Sequence, residues 1–211
     1  RDPEKRGEKE HFFDRHAPGW DKETEEDNQD EVRALIEETG LSAGDTVVEP
    51  GCGTGLISRL ILEKVGKKGR LCGVDISNKM LDEARAKGLG PRASFLHSEA
   101  SSMPFDNDFA DAVVCFRVFP HFDDIPGTLA EFNRVLKHCG LLAIAHPLGR
   151  KKLNKFHAQT GGEVARDMIP DEPEVRLLLD HAGFEIITFH DREDRYFIRA
   201  RKTHPAPPEK I

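Results

Sequence analysis

The chain has 211 residues, a net charge of −7 and 33% charged residues, which suits one soluble α/β domain rather than two. The acidic excess argues against nucleic acid as the main partner, because binding phosphates requires a dense basic face. No apolar run approaches the roughly 18 residues that a membrane-spanning helix needs, so we expect no membrane partner either. The charged start does not resemble a signal peptide. We therefore expect a cytoplasmic protein whose four cysteines are free thiols.

The chain divides by composition into three parts. Residues 1–23 form a charged extension with aromatic side chains such as Phe13 and Trp20. We interpret this extension as short helical pieces that either cover a ligand as a lid or pack on the domain surface. Residues 24–203 are predicted to form a single domain, and the proline-rich residues 204–211 a flexible tail.

Strands and helices alternate along the middle part. Apolar residues recurring every three or four positions predict helices over 25–39, 56–65, 78–87, 125–137 and 172–182. Short apolar runs predict strands over 46–49, 69–75, 93–97, 109–116 and 140–146, followed by a hairpin of 185–190 and 195–200. Such alternation is typical of βαβ units and a parallel sheet, into which the hairpin inserts one antiparallel strand.

The turn after the first predicted strand is rich in glycine. It reads Glu-Pro-Gly-Cys-Gly-Thr-Gly over residues 49–55, and the helix that follows directs free backbone N–H groups toward a ligand. Asp75 ends the second strand, where a carboxylate can accept hydrogen bonds from a ribose hydroxyl. The fingerprint of NAD-binding proteins requires glycine at position 56, and Leu56 stands there. The sequence therefore predicts a nucleotide-like ligand other than NAD.

At this point the motifs resemble a known family. Residues 47–55 look like the first motif of class I S-adenosylmethionine-dependent methyltransferases, and residues 73–77 with Met80 look like the second. Residues 98–105 and 109–113 are similar to the third and fourth motifs, and residues 131–137 to the helix before the fifth strand. The resemblance covers about residues 28–200. It implies a Rossmann-like doubly wound sheet of seven strands in the order 3-2-1-4-5-7-6, with helices on both faces.

The same resemblance implies a site for S-adenosylmethionine. The residues that match the family's cofactor motifs are Glu49, Gly51, Cys52, Gly53, Gly55, Asp75, Ile76, Met80, Glu99, Ala100, Phe116 and Arg117. In the family's arrangement Glu49 and the glycine backbone hold the methionine portion, and Asp75 takes the ribose hydroxyls. Ile76 and either Glu99 or Ala100 lie beside the adenine. Phe116 and Arg117 lie beneath the sulfonium.

Three histidines near predicted strand ends are candidates for the acceptor side. His121 follows the fourth strand, His146 ends the fifth, and His157 lies in the segment after it. Imidazoles there could orient a small-molecule acceptor, act as a general base, or, for His146 and His157, bind a divalent metal. Their spacing matches no metal motif, so structural or surface histidines are the alternative.

The function predicted from these residues is methyl transfer from S-adenosylmethionine to a small molecule. Two alternatives remain open at this point. One is a cofactor-binding partner subunit without catalysis, and the other is an aminopropyl-type transferase on the same fold. Neither the acceptor nor the oligomeric state follows from the sequence.

Overall fold

The computed structural model describes residues 3–23, 29–160 and 162–203. Its helices are α1 (Pro3–His16), α2 (Trp20–Glu23), α3 (Gln29–Glu38), α4 (Ser58–Val65), α5 (Asn78–Ala86), α6 (Ile125–Val135), α7 (Arg150–Thr160) and α8 (Glu172–His181). Its strands are β1 (Thr46–Pro50), β2 (Arg70–Asp75), β3 (Ala93–His97), β4 (Ala110–Phe116), β5 (Leu136–His146), β6 (Phe184–Arg192) and β7 (Arg195–Lys202). Short 3-10 turns lie at Ala17–Gly19, Phe119–His121 and Gly162–Val164.

The seven strands form one sheet in the order β3-β2-β1-β4-β5-β7-β6, as predicted. The first five strands pair in parallel, and β7 pairs antiparallel to both β5 and β6. Strand order reverses between β1 and β4, which leave a crevice beyond their carboxyl ends. Ligands of open α/β sheets bind in such a crevice.

Helices cover the sheet on both faces because successive strand residues point to opposite sides. On one face, Val48 of β1 and Ile144 of β5 belong to a buried cluster. The same cluster contains Leu129 and Phe132 of α6 and Leu179 of α8. On the other face, a second buried cluster joins β1, β2 and β4 to α3 and α4, with Val47, Leu71, Val114, Leu35 and Ile61 among its members. The buried strand residues are thus apolar on both faces, as a doubly covered sheet requires. None of the helices in the described part of the chain is long and apolar enough to span a bilayer.

Several element boundaries differ from the sequence prediction. The first helix of the domain is described from Gln29, and the predicted start at residue 25 lies outside the described residues. The predicted helix 56–65 begins two residues later, at Ser58, because the glycine-rich turn extends through Ile57. The predicted helix 125–137 ends at Val135, and β5 begins at Leu136 rather than at residue 140.

The early start of β5 has a local cause. Leu136 pairs with Ala110, and the register then shifts before Leu141 pairs with Ala112. Cys139 lies inside this irregularity with a φ of 62°, a conformation that glycine adopts more easily. The three extra residues are therefore accommodated as a distortion within the strand. Helix α7, which follows β5, was not predicted, because its apolar face consists of few residues, with only Leu153 and His157 buried.

Candidate functional site

One cavity of about 700 Å³ lies beyond the carboxyl ends of β1, β2 and β4. Its size suits a small-molecule ligand. The glycine-rich turn, the end of β2 and the start of α5 form one half, which we call the loop half. The residues that follow β4, from Phe116 to Thr128, form the other half, which we call the histidine half. Lys9, Phe13 and Trp20 of the N-terminal extension lie over both halves as a roof.

The glycine-rich turn takes a backbone path that most residues avoid. Gly51, Gly53 and Gly55 have φ values of 64°, 52° and 73°. A Cβ added at Gly53 would lie in the cavity, with its nearest neighbours 3.9 Å away at Met80 Sδ and Trp20 Nε1. A Cβ at Gly51 would instead come within 2.2 Å of Val118 Cγ2. Gly53 therefore lets a ligand approach the backbone, and Gly51 lets the two halves pack together.

Asp75 holds the turn from beneath. Its Oδ2 accepts a hydrogen bond from the Gly53 N–H at 2.8 Å, and its Oδ1 accepts one from the Ser77 N–H at 2.9 Å. Burial raises the pKa of Asp75, while the N–H groups of Ser77 and Gly53 lower it in part. Ser77 also caps α5, since its hydroxyl accepts from the Met80 N–H. The side chain at the end of β2 is thus fixed at the cavity wall as a hydrogen-bond acceptor.

Glu49 is the second buried carboxyl group of the loop half. Only 3% of the residue is exposed, and its Oε2 accepts a hydrogen bond from the Ser58 hydroxyl at 2.6 Å. Burial raises its pKa to about 8, against the lowering effect of the Ser58 hydrogen bond. Such a group is protonated at neutral pH and becomes a carboxylate when a cation binds beside it.

The other predicted cofactor residues occupy distinct positions. Those at the cavity surface are Cys52, Ile76, Met80, Glu99, Ala100, Phe116 and Arg117, together with Glu49, Gly51, Gly53 and Asp75. Gly55 is not among the residues at that surface. A Cβ there would meet Ser58 and Ala84, so its role is the packing of α4 against α5. Burial, with Asp75 and Glu49 nearby, raises the pKa of the Cys52 thiol and keeps it protonated.

Arg117 departs from ordinary backbone geometry at the end of β4. Its φ of 58° is rare for a residue with a side chain. Its N–H donates to the Ala145 carbonyl, which ties this turn to β5. Strain of this kind persists where the surrounding structure fixes it, and it often lies at functional sites. Here it turns the chain from the sheet into the histidine half.

The histidine half contains a His–Asp pair. His121 lies at the cavity surface, and its Nδ1 donates to Asp167 Oδ2 at 2.7 Å. Lys9, only 7% exposed, bridges from α1 to Asp167 Oδ1 at 3.1 Å and to Asp123 Oδ1 at 2.7 Å. Phe13 and His121 meet edge to face, with ring centroids 5.7 Å apart. The N-terminal extension therefore takes part in this half of the cavity.

His146 and His157 are buried behind His121 rather than at the cavity surface. The His157 ring lies 5.0 Å from the His121 ring, between centroids, and its Nδ1 donates to the Asp167 carbonyl. His146 Nδ1 accepts from the Leu148 N–H at 3.1 Å, so its neutral ring carries the proton on Nε2. Burial, followed by the positive charge of Arg117, keeps the pKa of His146 well below its usual range.

These contacts make His146 and His157 poorly suited to bind a metal ion. Both ring nitrogens of a neutral His146 are committed, one as an acceptor from the backbone and one as an N–H. Within residues 3–23, 29–160 and 162–203, no group of three His, Cys, Asp or Glu side chains could hold a metal ion. The metal site hypothesised at His146 and His157 gains no third ligand from the described residues.

The roof is fastened to the loop half through two carboxylates, Asp14 and Asp21. The Ser77 hydroxyl donates to Asp14 Oδ1 at 2.6 Å. The Thr54 hydroxyl donates to Asp21 Oδ1, and Lys87 forms an ion pair with the same carboxylate at 2.7 Å. Together with Lys9 on the histidine half, these contacts hold the extension across the whole cavity.

Sequence reasoning missed Lys9 and Asp167. Both are separated from His121 by tens of residues, and neither stands in a motif. The one signal for Lys9 was its position four residues before Phe13, which places both side chains on the same face of a helix. No comparable signal marks Asp167, which follows the unpredicted helix α7.

Comparison with known proteins finds similarity to methyltransferases. Residues 48–144 match a family described as "Methyltransferase domain". A 2-phytyl-1,4-naphtoquinone methyltransferase from Trichormus variabilis is 30% identical over 134 residues, which are 60% of this chain and 58% of that protein. A ubiquinone/menaquinone biosynthesis C-methyltransferase UbiE from Ectopseudomonas mendocina is 28% identical over 75% of this chain and 72% of that protein. The chain thus spans less than two thirds of the length of the first of these relatives.

Solved structures share the fold. A chain of the complex that contains the Haloferax volcanii Trm112 methyltransferase activator superposes with a TM-score of 0.76 and 24% identity, over 91% of this chain and 98% of that chain. A SAM-dependent methyltransferase from Aquifex aeolicus gives a TM-score of 0.68 and 23% identity, over 84% of this chain and 95% of that chain. The motifs, the strand order and the matched segment agree, and residues 48–144 of this chain are similar to the methyltransferase domain of the class I S-adenosylmethionine-dependent enzymes.

Proposed function

We propose that this protein transfers the methyl group of S-adenosylmethionine to a small planar aromatic acceptor with an ionisable hydroxyl group, of the hydroquinone type. The observation that carries the proposal is the division of one cavity. A glycine turn with two buried carboxyl groups forms the loop half, and an aromatic surface with a His–Asp pair forms the histidine half. The names of the two relatives, a naphthoquinone and a quinone methyltransferase, support the acceptor class.

The loop half fits the cofactor. Space beside the Gly53 backbone accommodates a ligand, and Asp75 offers a carboxylate for the ribose hydroxyls. Glu49 would hold the ammonium of the methionine portion. Ile76, Met80 and Glu99 or Ala100 would enclose the adenine, since they follow β2 and β3 along the same wall. When bound, the cofactor supplies an electrophilic methyl group on a positively charged sulfur.

The charge of the cavity supports a cationic ligand. Besides the protonated Glu49, four carboxyl side chains line it (Asp75, Glu99, Asp123 and Asp124), against the two bases Lys9 and Arg117. A cavity with this balance attracts a sulfonium more strongly than a neutral nucleotide. Phe116 and Arg117 lie where the two halves meet, which is where the methyl group would face the acceptor.

The histidine half fits a flat apolar acceptor. Phe13, Phe122 and Val118 present apolar surface, and His121 provides the polar group that would orient a hydroxyl. Methyl transfer then depends mainly on holding the acceptor in line with the carbon–sulfur bond. Binding in a covered cavity also keeps water from competing for the methyl group.

Calorimetry and turnover test this proposal. S-adenosylmethionine and its demethylated product should each bind with a dissociation constant of roughly micromolar order, and NAD should give no measurable heat. A short-chain 2-alkyl-1,4-naphthoquinol should accept label from methyl-labelled cofactor. The matched oxidised quinone should not, because it lacks the electron-rich ring. Cofactor binding without methylation of any quinol would refute the acceptor class, whereas the absence of cofactor binding would refute the proposal as a whole.

A further inference from the structure

Lys9 makes three polar contacts around His121. Its Nζ donates to the His121 carbonyl at 2.8 Å and to Asp123 Oδ1 at 2.7 Å, and it lies 3.1 Å from Asp167 Oδ1. A lysine ammonium has three N–H donors, so each contact uses one of them. A lysine this buried requires compensation of its charge, and the two carboxylates provide it. The position of Lys9 is therefore specified by the histidine half of the cavity rather than by its own helix.

The same contacts determine the protonation state and the tautomer of the His121 imidazole. Burial keeps the pKa of His121 below its usual value, and Lys9 and His157 act in the same direction, while Asp167 opposes them. Hydrogen bonds and charge from His121 and Lys9 outweigh burial and keep the pKa of Asp167 below its usual value. The pair is therefore a neutral imidazole beside a carboxylate. Because Nδ1 donates to Asp167, Nε2 is the ring nitrogen that carries the lone pair.

The charged and titratable groups facing this pair come from several elements. Lys9 comes from α1, His157 from α7, and Asp123 from the loop after the 3-10 turn that contains His121. His146 and Arg117, at the ends of β5 and β4, lie behind it and act on the same cluster. Among these groups Lys9 alone belongs to the N-terminal extension.

We propose that Lys9 completes a general base made of His121 and Asp167, so that the base is assembled only when α1 covers the cavity. The inference rests on the proposed methyl transfer to an acceptor that carries an ionisable hydroxyl group. His121 is the catalytic residue, and Asp167 and Lys9 are positioning residues that act through it. With Lys9 in place, the negative charge of Asp167 is shared and the imidazole stays neutral beside the sulfonium. Without Lys9, the charge of Asp167 is uncompensated and favours the imidazolium, which cannot accept a proton.

Methyl transfer begins with loss of a proton from the acceptor hydroxyl. The O–H bond of the hydroquinol breaks, and its proton moves to Nε2 of the neutral His121. The electron-rich ring carbon of the resulting anion attacks the methyl group, and the methyl–sulfur bond breaks with its electron pair left on sulfur. The ring carbon then loses its hydrogen as a proton to solvent, which restores the aromatic ring as a quinolate, and His121 returns its proton to the quinolate oxygen. One quinol and one S-adenosylmethionine yield one methylated quinol, one S-adenosylhomocysteine and one proton.

Two substitutions should move the titration of His121 in opposite directions. Lys9→Met removes a positive charge, so His121 should hold its proton to higher pH. Asp167→Asn removes a negative charge but keeps a hydrogen-bond acceptor, so His121 should lose its proton at lower pH. The ring Cε1–H signal of His121, identified by its absence in His121→Asn, follows this titration by NMR in the full chain with S-adenosylhomocysteine bound. Destabilisation alone would not produce opposite shifts.

The pH profile of turnover should follow the same pattern. In Lys9→Met the acid limb of kcat should move to higher pH, with activity regained in alkaline buffer, and Lys9→Arg should restore the wild-type limb. His121→Asn should lower kcat by roughly a hundredfold or more, the usual contribution of a general base. Lys22→Met, an exposed lysine of the same extension, is the matched control and should change neither readout.

Each outcome decides the proposal. Opposite NMR shifts together with matching kcat profiles support it. Shifts in the same direction, no shift, or a His121→Asn variant with undiminished kcat would overturn it. Should Lys9→Met release the extension, emission of Trp20, the one tryptophan of the chain, would move to the red, and Asp167→Asn would still decide the direction. If wild-type protein methylates no quinol, the proposed function fails, whereas the NMR titration still reports on the Lys9 contact.

Discussion

The two halves of the cavity are built in different ways. The loop half uses backbone groups and carboxyl groups that lie within a few residues of one turn or one strand end, at 49–55 and 75–80. In the histidine half, His121 and Asp123 depend on Lys9, His157 and Asp167, which pack against them from separate elements. The first half lies within the segment that matches the methyltransferase family, whereas Lys9, His157 and Asp167 lie outside that segment. A shared cofactor requires a constant site, whereas an acceptor site can vary with each protein of the fold.

Substitution at Gly53 should break the loop half most completely. Gly53→Ala places a Cβ in the cavity at a φ of 52°, where it obstructs the ligand's approach to the backbone. We expect cofactor affinity to fall by roughly a hundredfold, or about 2.8 kcal/mol. Gly88→Ala is the matched control, because Gly88 has a φ of 59° and open space around it. Both variants should lose similar thermal stability, while only Gly53→Ala should lose calorimetric binding. Equal affinity in the two would show that the cofactor does not pass over Gly53.

Asp75→Ala should have the next largest effect. It removes a charged acceptor at the cavity wall, and hydrogen bonds to charged groups contribute about 1.5–3 kcal/mol, which corresponds to a ten- to hundredfold loss of affinity. Asp82→Ala, on the exposed side of α5, should bind the cofactor normally. Calorimetry of the two variants measures the difference. An Asp75→Ala protein that binds as tightly as wild type would place the ribose elsewhere.

Cofactor binding should release a proton from Glu49. The pKa of this group is about 8 in the unliganded protein, and a bound ammonium favours its carboxylate form. Affinity should therefore rise between pH 6 and pH 8, by up to about tenfold per unit. Calorimetry in buffers with different ionisation enthalpies measures the proton directly. Glu49→Gln should abolish the dependence on buffer, and a wild-type heat that is the same in all buffers would contradict the assignment.

The raised pKa of Glu49 also predicts that the unliganded protein loses stability as pH rises, whereas its affinity for the cofactor increases. Since the pKa of Glu49 in the folded chain is raised from 4.5 to about 8, its contribution is fully present below pH 4.5 and is lost as pH rises through 8. Glu49→Gln cannot ionise, so the unliganded variant should melt at a higher temperature than wild type at pH 8 to 9. At pH 5 the two melting temperatures should nearly coincide. A lower melting temperature for the variant in alkaline buffer would contradict this account.

Asp21→Asn should have the smallest effect, because the carboxylate is partly exposed and its ion pair with Lys87 contributes little in water. We expect a few-fold loss of cofactor affinity, with Trp20 emission shifted to the red as the roof loosens. Asp30→Asn, an exposed acidic position on α3, provides the control. We expect the pH profile of turnover to stay unchanged in Asp21→Asn, because Lys9 rather than Asp21 forms the polar contacts to the proposed base, His121 with Asp167. A changed profile would contradict the separate roles of the two halves.

The sequence predicted the sheet because its signals are local. The nearly continuous apolar run of β4 and the alternation of strands and helices specify a covered parallel sheet whatever the loops do. Most of the residues expected to bind the cofactor lie at the cavity surface for the same reason, since they stand next to strand ends. Gly55 was assigned to the ligand but packs α4 against α5, because spacing alone does not separate a glycine that meets a ligand from one that meets a helix.

The surroundings of the three candidate histidines were predicted less well, for a physical reason. His121 was recognised by its position after β4, but its orientation depends on Asp167 and Lys9, which only tertiary packing brings near it. His146 and His157 stand at similarly promising positions, yet their Nδ1 atoms bond to backbone groups and their rings are buried. Whether a histidine meets a ligand depends on which partner takes its nitrogens, and sequence does not carry that information.

The roof has a consequence for how the two ligands affect each other. One continuous segment, α1 to α2, contacts the loop half through Asp14 and Asp21 and the histidine half through Lys9. A ligand that holds the segment against one half of the cavity also places it correctly for binding of the second ligand in the other half. Cofactor and acceptor should therefore each tighten the binding of the other by the same factor, as thermodynamic linkage requires. Removing the segment should reduce that factor to one, even where each ligand still binds alone.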